Sequence, residues 1–298
     1  MMHVFIDGAA GTTGLEIATR LAGRNGLTMI VLDDDERKNA GKRADALNSA
    51  DIAILCLPDE AARDAVALVR NPATRIIDAS TAHRTAPEWT YGFPEMGYDV
   101  ARAHRVSNPG CYATGFIALV APLVRAGIIG PDTCIACNAV SGYSGGGKSM
   151  IADYENGPAP AAWRTYALGL SHKHLPEMQH HAGLSRPPIF APSVANTYRG
   201  MLVDVPLHDS DAMAIRDTYA GFYERSALVR LIDHGDAHLT VEHMAGRDGM
   251  NIFVFASSDG RMVRLVAALD NLGKGASGAC VQSLNLMAGF PETEGLNL

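Results

Sequence analysis

At 298 residues the chain can bury a large core and, at roughly 100–200 residues per domain, has room for two domains. Hydrophobic residues make up 47% and charged residues 19%, the mixture of a globular enzyme, and no apolar run nears the roughly 20 residues that span a bilayer. The 25 Lys and Arg set against 32 Asp and Glu leave a net charge of −7, which excludes a broad electrostatic footprint for nucleic acid or anionic lipid and leaves anionic small molecules to local arginines.

Met1-Met2-His3 runs straight into Val4–Ile6 with no basic segment, targeting core or cleavage site, which predicts a cytoplasmic location. Val4–Ile6 reads as a strand, Thr12–Gly23 as a helix, Leu27–Leu32 as a strand, and Arg37–Leu47 as a weaker helix interrupted by Gly41. Ile52–Leu57 reads as a buried strand, Asp59–Arg70 as a helix and Arg75–Asp78 as another strand, so the first hundred residues alternate like a nucleotide-binding α/β unit with a parallel sheet. Gly8, Gly11 and Gly14 follow the first strand as G-x-x-G-x-x-G and open a helix. Glycines there let the backbone turn tightly toward a pyrophosphate, and the free N–H groups of the helix start bind the anion. Gly8, Gly11, Thr12, Thr13 and Gly14 are therefore candidate dinucleotide contacts, with an ordinary glycine turn as the alternative. Asp33 ends the second strand, where an acid suits the ribose hydroxyls of NAD, whereas Arg37 and Lys38 suit the 2′-phosphate of NADP; the residues alone leave both readings open.

The run Ser107-Asn108-Pro109-Gly110-Cys111-Tyr112 is a tight turn opening an apolar helix. A thiol in the first helical turn sees the positive end of the helix dipole, which favours thiolate, so Cys111 is either a nucleophile or a buried structural cysteine. The five cysteines (56, 111, 134, 137 and 280) make no disulfide framework. Cys134 and Cys137 form a lone C-x-x-C inside the strand-like Thr133–Val140, unlike a zinc ribbon or a helix-opening redox motif.

Apolar residues then alternate through Met201, Val203, Val205 and Leu207, with further strands expected at His238–Met244, Asn251–Ser257 and Met262–Leu269. One helix, Ala212–Arg225, interrupts them; a last helix, Ala276–Met287, is entered through Gly273–Gly278; residues 157–160 and 183–192 read as loops. These spacings predict a mostly antiparallel sheet, hence an α/β domain followed by an α+β domain.

Gly8–Gly14, Asn108–Tyr112, Val140–Lys148, His172–Glu177 and Leu269–Gly278, in this order, together resemble the N-acetyl-γ-glutamyl-phosphate reductase family in its shorter form. The resemblance implies a Rossmann NADP-binding domain over 1–108, completed by a C-terminal helix in 274–298, and a glyceraldehyde-phosphate-dehydrogenase-like catalytic domain over 109–273. It also implies NADPH-dependent reduction of N-acetyl-L-glutamyl 5-phosphate to the semialdehyde in arginine biosynthesis, and a homodimer or homotetramer. Attack by Cys111 thiolate on the acyl phosphate would expel phosphate and leave a thioester that hydride can reduce, with the Cys111 or a neighbouring N–H facing the oxyanion.

The acid/base should be histidine, and His172 and His174 are the candidates, two apart on one face of an extended segment. The family's H-x-H-x-x-E pattern points to His174, with His172 assisting or binding substrate and Glu177 orienting. His180 and His181 lack a carboxylate or thiol set, so no metal is expected. Arg84 is expected to hold substrate phosphate or carboxylate, or else a structural ion pair, and Asn108 and Ser141 are further substrate candidates. Ser144 and Gly145, in the Ser141–Lys148 loop, are expected to give N–H groups to a phosphate unless that loop is merely a flexible turn, and Asn271 is expected to meet the nicotinamide carboxamide. Lys148 and Asp33 depart from the longer form of the family. An enzyme acting on aspartyl phosphate would need the same thiol, base and hydride, and a noncatalytic dinucleotide sensor would need only the glycine loop.

Overall fold

A computed structural model describes every residue except Ala159, His234, Asp236 and Ala237. The chain divides into two compact units: Met1–Pro109 with Ala276–Leu296, and Gly110–Gly275 with Asn297–Leu298.

The first unit strings together β1 (Met2–Asp7), α1 (Thr12–Leu21), β2 (Leu27–Ile30), α2 (Ala40–Ser49), β3 (Ile52–Leu55), α3 (Asp59–Leu68), β4 (Arg75–Asp78), β5 (Thr90–Tyr91) and β6 (Arg105–Ser107). All pairings are parallel, in the order β2-β1-β3-β4-β6-β5. Such a sheet is covered on both faces, which is why β3 reads as the unbroken apolar run Ile-Ala-Ile-Leu, all four residues buried. On one face Ile17 and Leu21 of α1 and Val281, Leu284 and Met287 of the C-terminal helix (Gly278–Ala288) pack on Val4, Ile54 and Val106. On the other, Leu47 and Ala65 pack on Phe5, Ala53, Leu55 and Ile76. The helix expected over 37–47 is in fact two pieces, a 3-10 turn Glu36–Lys38 and α2. They break at Asn39, whose side chain accepts from Gly41 N at 2.9 Å and Lys42 N at 3.2 Å as the N-cap of α2.

The second unit comprises α4 (Cys111–Arg125), β7 (Ala136–Gly142), α5 (Gly147–Glu155), β8 (Trp163–Thr165), α6 (Leu175–Ala182), β9 (Ile189–Ala195), β10 (Met201–His208), α7 (Ala212–Tyr223), β11 (Val229–Leu231), β12 (Met250–Ala256) and β13 (Met262–Leu269). Its sheet runs β11-β12-β13-β10-β7-β9-β8 and is antiparallel except at β11–β12 and β7–β9.

The structure corrects two expectations here. His238–Met244 is not a strand: its later residues form successive turns closed by His243 N→Thr240 O and Ala245 N→Glu242 O, while Leu239 and Met244 pack with Phe253 and Val266 of the sheet. The stretch 183–192 is loop only as far as residue 188, because β9 starts at Ile189; Pro187, Pro188 and Pro192 disguise it. The loop expected over 157–160 includes Ala159, which lies outside the described residues.

Helix α4 is buried from Tyr112 to Leu123, so its polar backbone must be satisfied internally. Pro122 lacks an N–H and cannot serve the carbonyl of Ala118, four residues earlier. Tyr223 of α7 fills that gap, donating its hydroxyl to Ala118 O at 2.7 Å, and Tyr219 donates to Leu119 O. Tyr223→Phe should therefore lower the unfolding free energy by about 1–3 kcal/mol, read from the urea midpoint, because the buried carbonyl loses its donor; an unchanged midpoint would contradict this account.

Candidate active site

In the second unit, Gly110 is the N-cap of α4 (φ −78°, ψ 144°) and Cys111 is the first helical residue, with no side chain capping the helix start. Glu177 on α6, only 1% exposed, accepts from Gly110 N at 2.7 Å and braces this turn. Cys111 is half-buried, so its thiol meets the helix dipole without being sealed in the core. The other inward-facing thiols have the opposite environment: burial, with Asp78 and Asp7 adding, pushes Cys56 up to about 12, and burial also raises Cys137 and Cys280.

His172 and His174 do not share an extended face. His174 is helical (φ −85°, ψ −9°) at the cap of α6, where Pro176 starts the first turn, so the pair sits on a turn. His174 N donates to His172 Nδ1 at 3.1 Å, and the rings meet edge to face at 4.7 Å. With Nδ1 accepting, the neutral His172 ring carries its proton on Nε2. Both rings lie about Tyr112, at 6.0 Å and 6.1 Å between centroids, and Tyr112 donates to Ser193 O at 3.0 Å. Sequence reasoning missed Tyr166, whose ring lies 5.7 Å from that of His172. Burial raises the Tyr166 phenol to about 12, and the charge of Cys111 adds to the rise. The only sign of this neighbourhood is conformational: just after Tyr166, Ala167 and Leu170 take left-handed φ values of 53° and 54°, which no residue pattern announces.

Ser141–Lys148 is not a flexible turn but the end of β7, a 3-10 turn Tyr143–Gly146 and the start of α5. Its backbone is already committed, because Gly142 N, Tyr143 N and Ser144 N donate to Gly200 O, Thr197 O and Tyr198 O at 2.9 to 3.0 Å. Ser144, 2% exposed, accepts from Asn271 Nδ2 at 2.8 Å, and Asn271 Oδ1 accepts from Gly200 N at 2.9 Å. Ser141 Oγ donates to Gly142 O at 2.9 Å, and a Cβ on Gly145 would lie 3.1 Å from Ser141 Oγ. Ser141, Ser144, Gly145 and Asn271 are thus brought together, with Asn271 tying two loops.

In the first unit, Gly8 has φ +87°, and a Cβ there would lie 2.3 Å from Cys56 O; one on Gly14 would lie 2.5 Å from Gly8 O. Gly11 N closes the turn on Gly8 O at 3.0 Å, and Thr12 and Thr13 begin α1, whose first turn holds no acid. The side chains expected to choose the cofactor are occupied locally. Asp33 Oδ1 accepts from Asp35 N and Glu36 N, at 3.0 and 2.8 Å, while Arg37 pairs with Asp34. Arg43 of α2 grips Asp7, the last residue of β1, with Nη2 2.7 Å from Oδ2. Arg84, 8% exposed, gives Nε to Asn108 O at 3.0 Å, and Asn108 Nδ2 reaches Ala276 O at 3.0 Å. Among the described residues, no group of three His, Cys, Asp or Glu side chains is placed to hold a metal ion.

Two profiles of one superfamily match the chain: the NAD binding domain of semialdehyde dehydrogenases over residues 35–104 and their dimerisation domain over 111–271. The N-acetyl-gamma-glutamyl-phosphate reductase of Sinorhizobium medicae (strain WSM419) is 49% identical over 303 aligned positions, covering 95% of this chain and 98% of that protein. The enzyme of the same name from Burkholderia orbicola (strain MC0-3) is 46% identical, covering 96% and 97%. The chain belongs to the N-acetyl-gamma-glutamyl-phosphate reductase family. Among solved structures, aspartate semialdehyde dehydrogenase II from Vibrio cholerae, complexed with ASA, superposes with a TM-score of 0.72 at 16% identity, over 97% of this chain and 98% of that one. The aspartate semialdehyde dehydrogenase of Francisella tularensis gives 0.73 at 12%, over 97% and 100%. At such identity the likeness shows the fold: a Rossmann-type NAD-binding domain and a second domain built on a mixed sheet.

In a reductase of this family the thiols should separate by pH. Cys56, Cys137 and Cys280, with raised values, stay protonated at neutral pH and titrate only in strong alkali. Iodoacetamide near pH 7 should therefore label Cys111 first, read by peptide mass spectrometry; first labelling at any of those three would contradict the assigned environments.

Proposed function

We propose that the chain reduces N-acetyl-L-glutamyl 5-phosphate to the 5-semialdehyde with release of phosphate, using NADPH, in arginine biosynthesis. The observation that carries this reading is Cys111 at the start of α4, beside a Glu177-braced amide and next to Tyr112, which faces both histidines. His174 takes the thiol proton and Cys111 thiolate attacks the acyl carbon. The tetrahedral adduct expels phosphate, which receives that proton from His174, and a neutral thioester remains on Cys111. NADPH supplies the hydride that reduces it. The resulting thiohemiacetal oxyanion faces the first-turn N–H groups of α4, then collapses to the aldehyde and restores the thiolate. His174 is the acid/base because Nδ1 of His172 is already occupied by a backbone N–H. His172 assists and Glu177 orients the turn.

The Gly8–Gly14 loop fits a dinucleotide: a Cβ at Gly8 or Gly14 would fill the close-packed turn, and the N–H groups of Thr12 and Thr13 open α1 without an opposing acid. Asp33 is held capping its own turn, whereas the Arg37–Asp34 pair lies at the surface, where a 2′-phosphate can compete for the guanidinium, which favours NADP(H). Arg84, Asn108 and Ser141 serve the substrate, and Ser144, Gly145 and Asn271 serve the cofactor. The first unit, with the C-terminal helix, acts as the NADP-binding domain, and the second as the catalytic domain.

The protein works in the cytoplasm as a homodimer or homotetramer. Helices α4 and α7 pack on one face of the second sheet, while the other face holds Leu202, Phe255 and the 59%-exposed Trp163 around a hollow of about 750 Å³; this is the face offered to a second copy. Among the described residues, no helix is long and apolar enough to cross a membrane.

A steady-state assay offering N-acetylglutamate semialdehyde or aspartate semialdehyde, with phosphate and either NADP or NAD, tests substrate and cofactor together. Turnover should be fastest with the N-acetylated substrate and NADP. Preference for aspartate semialdehyde would reassign the substrate, and no turnover with any pair would favour a dinucleotide sensor. Cys111→Ser should abolish turnover while NADP still binds, and His174→Ala should lower kcat by about 10²- to 10⁴-fold. If His172→Ala carried that loss instead, the histidine roles would be reversed.

A further inference from the structure

The reading above uses the thiol, the histidines and the glycine loops, yet leaves unexplained a heavily bonded carboxylate of the second unit. Asp270 follows β13 and is wholly buried. Its Oδ1 accepts from Leu272 N at 2.8 Å and Gly273 N at 3.2 Å. Its Oδ2 ion-pairs with Arg199, 2.7 Å from Nε, and accepts from Gly246 N, and its backbone carbonyl accepts from Gly273 N and Gly275 N at 3.1 and 3.0 Å. Three segments, around 199, 246 and 272–273, therefore converge on one side chain, and the backbone carbonyl of the same residue holds Gly275.

The far end of the last segment touches the nucleophile. A Cβ on Gly275 would lie 2.9 Å from Cβ and 3.3 Å from Cα of Cys111, and 3.0 Å from Asp270 O. The turn that Asp270 closes is thus packed against the start of α4 with no room for a methyl group. Gly273 has as little space, since its Cβ would lie 2.1 Å from Arg247 O, so the turn cannot slide away. The neighbouring Asn271 extends the same frame to Ser144 and, with Gly200 N, to the turn that takes up the backbone of Gly142, Tyr143 and Ser144.

We propose that Asp270 is a positioning residue for this reaction: through the 270–275 turn it seats Gly275 against Cys111 and, with Asn271, holds the Ser144 loop in the same frame. It touches no reacting atom. Buried, it acts by fixing N–H groups of three segments with one charge, and the Arg199 guanidinium keeps that charge balanced. The proposal rests on Cys111 being the nucleophile, and its consequence is specific. Loosening the turn should misplace the sulfur in a molecule that still folds and still binds dinucleotide.

Asp270→Asn keeps an oxygen for Leu272 N and Gly273 N but turns an NH₂ toward Arg199 and Gly246 N, where two donors now conflict. Gly275→Ala leaves Asp270 intact and presses a methyl on Cys111. For both full-length variants the readouts are the iodoacetamide rate at Cys111, kcat and KM for the semialdehyde, the NADP dissociation constant and the melting temperature. The proposal predicts a roughly ten- to hundredfold fall in alkylation rate and kcat, with NADP binding and KM nearly unchanged. Variants that melt earlier but alkylate and turn over like the parent would overturn it, showing that Asp270 only stabilises the fold. If Asp270→Asn fails to fold, Gly275→Ala decides, since its conflict is with Cys111 and the backbone of the same turn and leaves the Asp270 side chain in place. A parent whose Cys111 alkylates no faster than the exposed Cys134 would instead overturn the functional reading, so the two failures are distinguishable.

Discussion

The hydrogen bond from Gly110 N to buried Glu177 sets where the chemistry of this chain can take place. A helix begins with N–H groups that its own carbonyls cannot serve, and a buried helix cannot leave them to water. By taking the amide just ahead of Cys111, a carboxylate on α6 ties the start of α4 to the turn that carries His172 and His174. Farther along the same helix, Tyr223 meets the same demand where Pro122 interrupts the ladder. On the proposed reading, thiol, base and oxyanion donors all follow from how one buried helix satisfies its ends.

Glycine acts here by making room rather than by lending flexibility. Gly8 and Gly14 close a turn in which a side chain would strike backbone oxygen, leaving the start of α1 to an anion. Gly275 does the same against Cys111, and Gly115 admits Val203 of β10 to α4, where a Cβ would lie 2.7 Å from a methyl. These contacts join residues far apart in the chain, and each loses its meaning if a single methyl is added.

Much of this was legible in the residues. Strands β1 to β4 announce themselves as short apolar runs, unlike Thr90–Tyr91 and Arg105–Ser107, and the glycine spacing after β1 and the Asn-Pro-Gly turn before Cys111 mark the starts of α1 and α4. What stayed hidden depends on partners distant in sequence. The turn from 33 to 38, in which Asp33 caps its own backbone and Arg37 pairs with Asp34, has no signature in the residue pattern. The Ser141–Lys148 loop looks free because its acceptors lie near residue 200. His172 and His174 look extended because nothing local shows that the helix opens directly after His174, at Leu175-Pro176. Prolines hid β9, and Tyr166 carries no local pattern at all. Asp270 reads as one more acid after a strand until three segments are seen to meet on it.

The central claim is that the acyl group passes through Cys111. The direct measurement runs the reaction in reverse without phosphate, mixing the protein with N-acetylglutamate semialdehyde and NADP and following both absorbance and intact mass. The account predicts a burst of about one NADPH per chain and an N-acetylglutamyl adduct on the peptide containing Cys111, discharged when phosphate is added. Steady NADPH formation without an adduct, or an adduct on another residue, would contradict it.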